Sequence, residues 1–135
     1  MALLPIDEKL FAAAEAVRPK AHVPYSHFHV GAAILADDGN IYVGCNVENA
    51  AFPLGNCAEA SAIAAMIAGG GKRITRIFVT GPGSAPVMPC GGCRQRIREF
   101  ADPDTPVICL GVEGQPLETT LDELLPHSFG PEFLG

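Results

Sequence analysis

A chain of 135 residues with a net charge of −6 and only nine lysines and arginines is a poor match for a polyphosphate backbone, so nucleic acid is not the expected partner and a small, weakly charged molecule is. Its 48% hydrophobic and 18% charged content suits one domain over residues 1–135 around a single sizeable core. The N-terminus lacks a basic region followed by a long apolar run, and the most apolar stretch, Ala60 to Ala68, is too short to span a bilayer, which excludes a signal peptide and a membrane span and leaves the cytoplasm as the expected location.

Residues 7–17 predict a helix. Leu10, Ala13, Ala14 and Val17 recur at helical spacing, Asp7 and Glu8 suit its positive end, and Pro19 stops it. Alternation of Phe28, Val30, Ala32 and Ile34 predicts a strand over 28–35. The turn signal Asp37-Asp38-Gly39-Asn40 joins it to a second strand over 41–45 as a hairpin. Residues 46–56 read as a loop, with Asn56 placed to cap a helix over 58–68. That helix is apolar on nearly every side, which predicts burial, and three glycines at 69–71 end it.

A β-branched strand follows over 74–80, then the loop 81–89. A helix over 93–101 opens at the second cysteine pair, and Asp102-Pro103-Asp104 breaks it. Strands over 106–110 and 116–119 flank a turn at 111–115, and Thr120 caps a short helix over 121–125. The pattern predicts an α/β fold, a three-layer α/β/α arrangement on a five-stranded mixed sheet. Two β-α units require parallel strands, and the hairpin adds an antiparallel pair.

The chemistry lies in Cys57-Ala58-Glu59 and Pro89-Cys90-Gly91-Gly92-Cys93. A structural zinc normally takes four protein ligands, whereas a catalytic zinc takes three and leaves one position to water. Cys57, Cys90 and Cys93 supply three thiolates, and Glu59 stands where it can move protons on that water. C-x-x-C alone fits a structural zinc knuckle or a redox pair about equally well. A knuckle needs a fourth ligand at close spacing, and neither Cys45, Cys109 nor the histidines at 22, 27, 29 and 127 provides one. A redox pair leaves Cys57-Ala58-Glu59 unexplained. Cys45 and Cys109 fall in strands and read as buried small hydrophobes.

An H-x-E motif followed by P-C-x-x-C marks the zinc-dependent nucleobase deaminases. Here Cys57 stands in place of the histidine. Three further segments carry the likeness: Pro24-Tyr25-Ser26-His27-Phe28-His29-Val30-Gly31-Ala32-Ala33, then Gly44-Cys45-Asn46-Val47-Glu48-Asn49-Ala50, and finally Leu124-Leu125-Pro126 with Phe129-Gly130-Pro131. Together they span residues 24–131. The chain resembles the cytidine deaminases, specifically the small three-cysteine type that acts on free nucleosides.

The resemblance implies one zinc per subunit on Cys57, Cys90 and Cys93, with Glu59 as the proton carrier. It implies hydrolytic deamination of cytidine and deoxycytidine to uridine and deoxyuridine plus ammonia, in pyrimidine salvage. Phe28 would pack on the pyrimidine, Asn46 and Glu48 would hold the ribose 3′-hydroxyl, and the Ala58 N–H would donate to the base carbonyl. Phe129 would reach a neighbouring subunit's site in a homotetramer with shared active sites. Read without the resemblance, Phe28 is a core residue, Asn46 a turn residue and Glu48 an exposed acid.

The sequence departs from the family at Ala60, where arginine usually follows the glutamate and bonds the cysteine ligands. The helix N-termini and Arg94 are expected to balance the thiolate charge instead. Enzymes that deaminate the aminopyrimidine antibiotic blasticidin S also lack that arginine, which makes them the alternative reading. Asn46-Val47-Glu48-Asn49 favours a nucleoside. A transfer RNA adenosine deaminase fits less well, and a zinc-stabilised binding domain is the non-enzymatic reading.

Overall fold

The first helix, α1 (Pro5–Val17), begins two residues earlier than periodicity indicates, because Pro5 sits where a missing N–H costs nothing and its fixed φ is already helical. The structure, a computed structural model, describes residues 3–135. The remaining regular elements are β1 (Gly31–Ala36), β2 (Ile41–Cys45), α2 (Ala58–Ala68), β3 (Ile74–Gly81), α3 (Gly91–Phe100), β4 (Pro106–Gly111), β5 (Leu117–Thr120) and the single turn α4 (Leu121–Leu124).

The five strands form one mixed sheet in the order β2-β1-β3-β4-β5. Strand β1 pairs antiparallel with both β2 and β3, β3 pairs parallel with β4, and β5 closes the edge antiparallel. Both faces are covered, which gives the three layers the pattern predicts. On one face α1 lays Leu10 and Ala14 against Ala33, Phe78, Ile108 and Leu110. On the other, α2 and α3 bury Ala62, Ile63, Met66 and Ile97 against Ala32, Ile34, Ile77, Val79 and Val107. Asp7 of α1 is buried and forked onto Arg76 of β3 at 2.5 and 2.9 Å; a second bond at 2.7 Å joins Arg76 to Glu118 of β5.

The topology sets the position of the site. Because β2 and β3 both run against β1, they run parallel to each other. Their C-terminal ends reach the same sheet edge, so α2 and α3 start side by side there. In open α/β sheets the crevice outside the strands' carboxyl ends is the usual ligand site.

Close approach of α2 to the sheet depends on Gly44. A Cβ at that position would lie 2.3 Å from the Ala62 nitrogen and 2.6 Å from the Ala58 carbonyl oxygen. The hairpin turn also follows the sequence. Asp38 accepts the Asn40 N–H at 2.9 Å, and Gly39 takes φ 82°, a left-handed conformation suited to glycine.

Four expectations need correction. Strand β1 starts at Gly31, not at 28, since the Asn46 side chain intercepts the backbone just before it. The amide accepts from Val30 N–H at 2.9 Å and donates to the Phe28 carbonyl at 2.8 Å, which replaces ladder bonds. Asn56 does not cap α2. Its backbone pairs with Val47 at 2.8 and 2.9 Å, and Cys57 is the N-cap. Helix α2 is buried along Ala58, Glu59, Ala62, Ile63 and Met66 only, while Ala64, Ile67 and Ala68 face outward. Cys45 is half-buried at the sheet's edge strand; Cys109, in β4, is fully buried as predicted. Thr120 does cap α4, accepting the Glu123 N–H at 3.3 Å.

Candidate metal centre and active site

Each ligand stretch ends at a helix start. Cys57 is the N-cap of α2, and Cys90 is the N-cap of α3, which begins two residues before Cys93. Ser61 N–H donates to the Cys57 carbonyl and Arg94 N–H to the Cys90 carbonyl, the first bonds of the two helices. With both helices rooted at the same sheet edge, thiols 33 residues apart in sequence converge.

The three sulfurs lie within 4.8 Å of one another. Cys57 Sγ and Cys90 Sγ are 3.7 Å apart, and all five cysteines are free thiols. Zinc–sulfur bonds of about 2.3 Å at tetrahedral angles put neighbouring sulfurs about 3.8 Å apart, which the Cys57–Cys90 pair matches, so the donor set suits zinc. Among the described residues, no fourth histidine, cysteine or carboxylate joins the group. Among the described residues the group therefore comprises three unpaired thiols.

The electrostatics of the metal-free thiols suit a cation. Cys57 is held down at about 6, chiefly by hydrogen bonding from Cys93, with help from Cys90 and the charge of Arg96, against the cost of burial. Cys93 is pushed strongly up by the same bond to Cys57, and then by burial. Cys57 thus ionises readily while Cys93 holds its proton, and a divalent ion displaces that proton when it binds. Glu59, only 4% exposed, is raised to about 7 by burial and by the nearby Cys57 thiolate, with Arg96 opposing. A carboxyl near neutrality both accepts and returns a proton at physiological pH.

A cavity of about 190 Å³ opens onto this group. Phe28, Asn46, Cys57, Ala58, Glu59 and Cys90 line it, as the sequence leads one to expect. Val30, Val87 and Met88 line it as well, and sequence reasoning missed them. Val30 reads as a strand residue, and Val87 and Met88 lie in an irregular loop whose path no periodicity reveals.

Glu48 is placed apart from these residues. Its Oε1 accepts the Tyr25 and Ser26 N–H groups at 3.0 and 3.2 Å, and it lines a second cavity of about 370 Å³ with Tyr25, Ser26, Asn49, Phe52 and Gly55. Phe129 does not line its own chain's cavity. It is exposed, stacked on Phe133 at 5.3 Å, and its carbonyl accepts from Gln95.

Arg94 does not balance the thiolates. Its guanidinium donates to the Pro89 carbonyl at 2.8 Å and the Leu124 carbonyl at 3.0 Å, pinning the second cysteine loop to the C-terminal segment. The cation that reaches a sulfur is Arg96, with Nη1 3.7 Å from Cys93 Sγ. The available signal was its i+3 spacing from Cys93, which puts the two on one helix face.

Residues 5–109 match the family model described as the cytidine and deoxycytidylate deaminase zinc-binding region. A cytidine deaminase of Sporosarcina psychrophila is 45% identical over 128 residues, covering 95% of this chain and 94% of its own. One from Halalkalibacterium halodurans is 43% identical over 115 residues, covering 85% and 87%. The crystal structure of the Burkholderia pseudomallei cytidine deaminase superposes with a TM-score of 0.86 at 41% identity, covering 90% of this chain and 98% of that one.

Proposed function

The chain belongs to the cytidine and deoxycytidylate deaminase family, and on that premise we propose how its residues divide the work of deaminating cytidine by hydrolysis. The zinc of this family is assigned to Cys57, Cys90 and Cys93, and Glu59 is assigned the proton transfers. The observation that carries this reading is a buried carboxyl beside three converging thiols at two helix starts, with no fourth ligand among the described residues.

A zinc ion in such a three-thiolate site supplies the Lewis acidity that makes water reactive near neutral pH. Glu59 takes the proton of the attacking water and delivers it to N3 of the base. The water oxygen bonds to C4. Glu59 then takes the remaining proton from the C4 hydroxyl and passes it to the exocyclic amine; the C4=O carbonyl forms, the C4–N bond breaks, and ammonia leaves. One carboxyl therefore serves as base and then as acid, which its raised proton affinity allows.

Phe28 packs on the pyrimidine face, and the Ala58 N–H, free at the helix start, donates to the base carbonyl. Asn46 and Glu48 hold the ribose 3′-hydroxyl. Each group already engaged keeps capacity: the Asn46 NH₂ has a second proton, and both backbone N–H contacts to Glu48 fall on Oε1. The same site accepts deoxycytidine, since the contacts fall on the 3′ position.

We assign the whole chain to one deaminase domain, assembled as a homotetramer in which Phe129 completes a neighbour's site. The role is pyrimidine salvage in the cytoplasm. No helix among the described residues is long and apolar enough to cross a membrane. The blasticidin S alternative finds no support, as the relatives named above are cytidine deaminases.

The test is Glu59→Gln. The variant is expected to retain one zinc per chain and to lose about 10²–10⁴ of kcat on cytidine, followed by the ultraviolet change on conversion to uridine. Comparable turnover by the variant would overturn the assignment. Zinc without turnover of cytidine, deoxycytidine or blasticidin S by the unmodified protein would leave a binding domain.

A further inference from the structure

The charge problem at this site is set by its ligands. Three thiolates around a divalent cation leave one net negative charge, and their electron donation weakens the metal as a Lewis acid. Ala60, next to Glu59, carries no charge, and Arg94 is turned away onto two backbone carbonyls. Among the described residues, Arg96 is the one basic side chain whose nitrogen comes within hydrogen-bonding reach of a ligand sulfur.

The surroundings of Arg96 are shaped for that contact. Its guanidinium folds back along α3 to Cys93, and a Cβ on Gly92 would lie 3.2 Å from the same Nη1. Gly92 thus leaves the space through which the arginine reaches the sulfur. This guanidinium bonds the Cys93 thiol and its charge is felt by the Cys57 thiol and the Glu59 carboxyl; no acidic side chain forms an ion pair with it among the described residues.

We propose that Arg96 is the positioning residue of the three-thiolate centre: through its bond to Cys93 Sγ it withdraws negative charge from the ligands and keeps the metal acidic enough to activate water. This rests on the zinc deaminase reading above and adds to it the source of the compensating charge. Arg96 lies outside the substrate cavity, so its effect falls on the chemical step and not on nucleoside binding.

The experiment compares Arg96→Gln, Arg96→Lys and Gly92→Ala with the unmodified holoenzyme. Arg96→Gln is expected to lower kcat on cytidine about ten- to hundredfold, the worth of a charge-assisted hydrogen bond, with KM within about twofold. The acid limb of the kcat–pH profile should move to higher pH, because a more electron-rich metal activates water less. In Co²⁺-substituted protein the sulfur-to-metal charge-transfer band should shift, and zinc affinity by chelator competition should change. Arg96→Lys should recover part of kcat and of the spectrum. Gly92→Ala, whose methyl crowds Nη1 from 3.2 Å while the charge and every ligand are kept, should move the same readouts in the same direction by a smaller amount.

An Arg96→Gln protein with unaltered kcat, acid limb and cobalt spectrum overturns the inference. So does a loss of kcat with limb and spectrum unchanged, since that marks mere loss of packing. If Arg96→Gln does not fold, Gly92→Ala and Arg96→Lys decide by the same readouts. Failure of the unmodified zinc protein to convert cytidine would instead overturn the deaminase reading, so the two failures are distinct.

Discussion

Glu48 shows how one side chain builds the site before any substrate arrives. Hydrogen bonds from Ser26, side chain and backbone, and from the Tyr25 N–H hold its carboxyl below the ordinary 4.5. A depressed folded value means that this contact stabilises the folded protein fully above pH 4.5, and that the contribution fades as pH falls through the lower folded value. The Tyr25 and Ser26 amide resonances are therefore expected to titrate with a midpoint below 4.5, and Glu48→Gln should abolish that titration while raising KM for cytidine more than it lowers kcat. A midpoint at or above 4.5 would show that the loop is not held this way. In the sequence, Glu48 stands out only through family likeness, which implies a sugar contact. Its backbone role was hidden, because its donors lie more than twenty residues upstream. The zinc group was legible for the opposite reason: Cys57 to Glu59 and Cys90 to Cys93 are spacings within one helical turn. Whether Arg94 or Arg96 reached the sulfur was not legible, since side-chain direction is decided by neighbours such as the Leu124 carbonyl and the space over Gly92.

The seating of α2 on β2 carries more of the chemistry than any loop does. Cys57, Ala58 and Glu59 are placed by the height of that helix above the sheet, and Gly44 sets that height through backbone contacts to Ala58 and Ala62. Gly44→Ala inserts a methyl where main-chain atoms leave no room, and overpacking of this kind costs about 1–3 kcal/mol. Thermal unfolding should show a drop in Tm of several degrees, and zinc content should fall with it, because Cys57 is carried off its position relative to Cys90. An unchanged Tm with full zinc would mean that the helix is seated by other contacts. Element existence and order were readable from periodicity, turns and glycines. The limits that failed did so where a side chain replaced a backbone partner. Asn46 cut β1 short at Gly31, and the Val47–Asn56 bridge moved the α2 cap to Cys57. Composition also misled over α2, since a helix apolar all round need not be covered by its own chain.

The uncovered part of α2 bears on the whole assembly. Ile67 is 47% exposed, and Phe52, Phe129, Phe133 and Leu134 are more exposed still. That much exposed apolar surface marks contact faces in soluble proteins. In the proposed four-chain assembly this surface would be covered, and Phe129, which does not line its own chain's cavity, would meet a neighbour's. Ile67→Glu places a charge on the α2 face and should shift the sedimenting species of the 14.1 kDa chain below four copies. Unchanged sedimentation would exclude that face from the interface. The proposed sharing of sites has a sharper consequence. A chain carrying Glu59→Gln has no proton carrier yet still offers Phe129 to a neighbour. A chain carrying Phe129→Ala keeps its own zinc group and Glu59 but offers nothing next door. Each pure protein should be impaired, the first in kcat and the second in KM. Co-refolded mixtures should contain sites with Glu59 from one chain and Phe129 from another, and cytidine turnover at low substrate should exceed the average of the two parents. If Phe129 served its own chain, or no site at all, the mixture would give that average and no more.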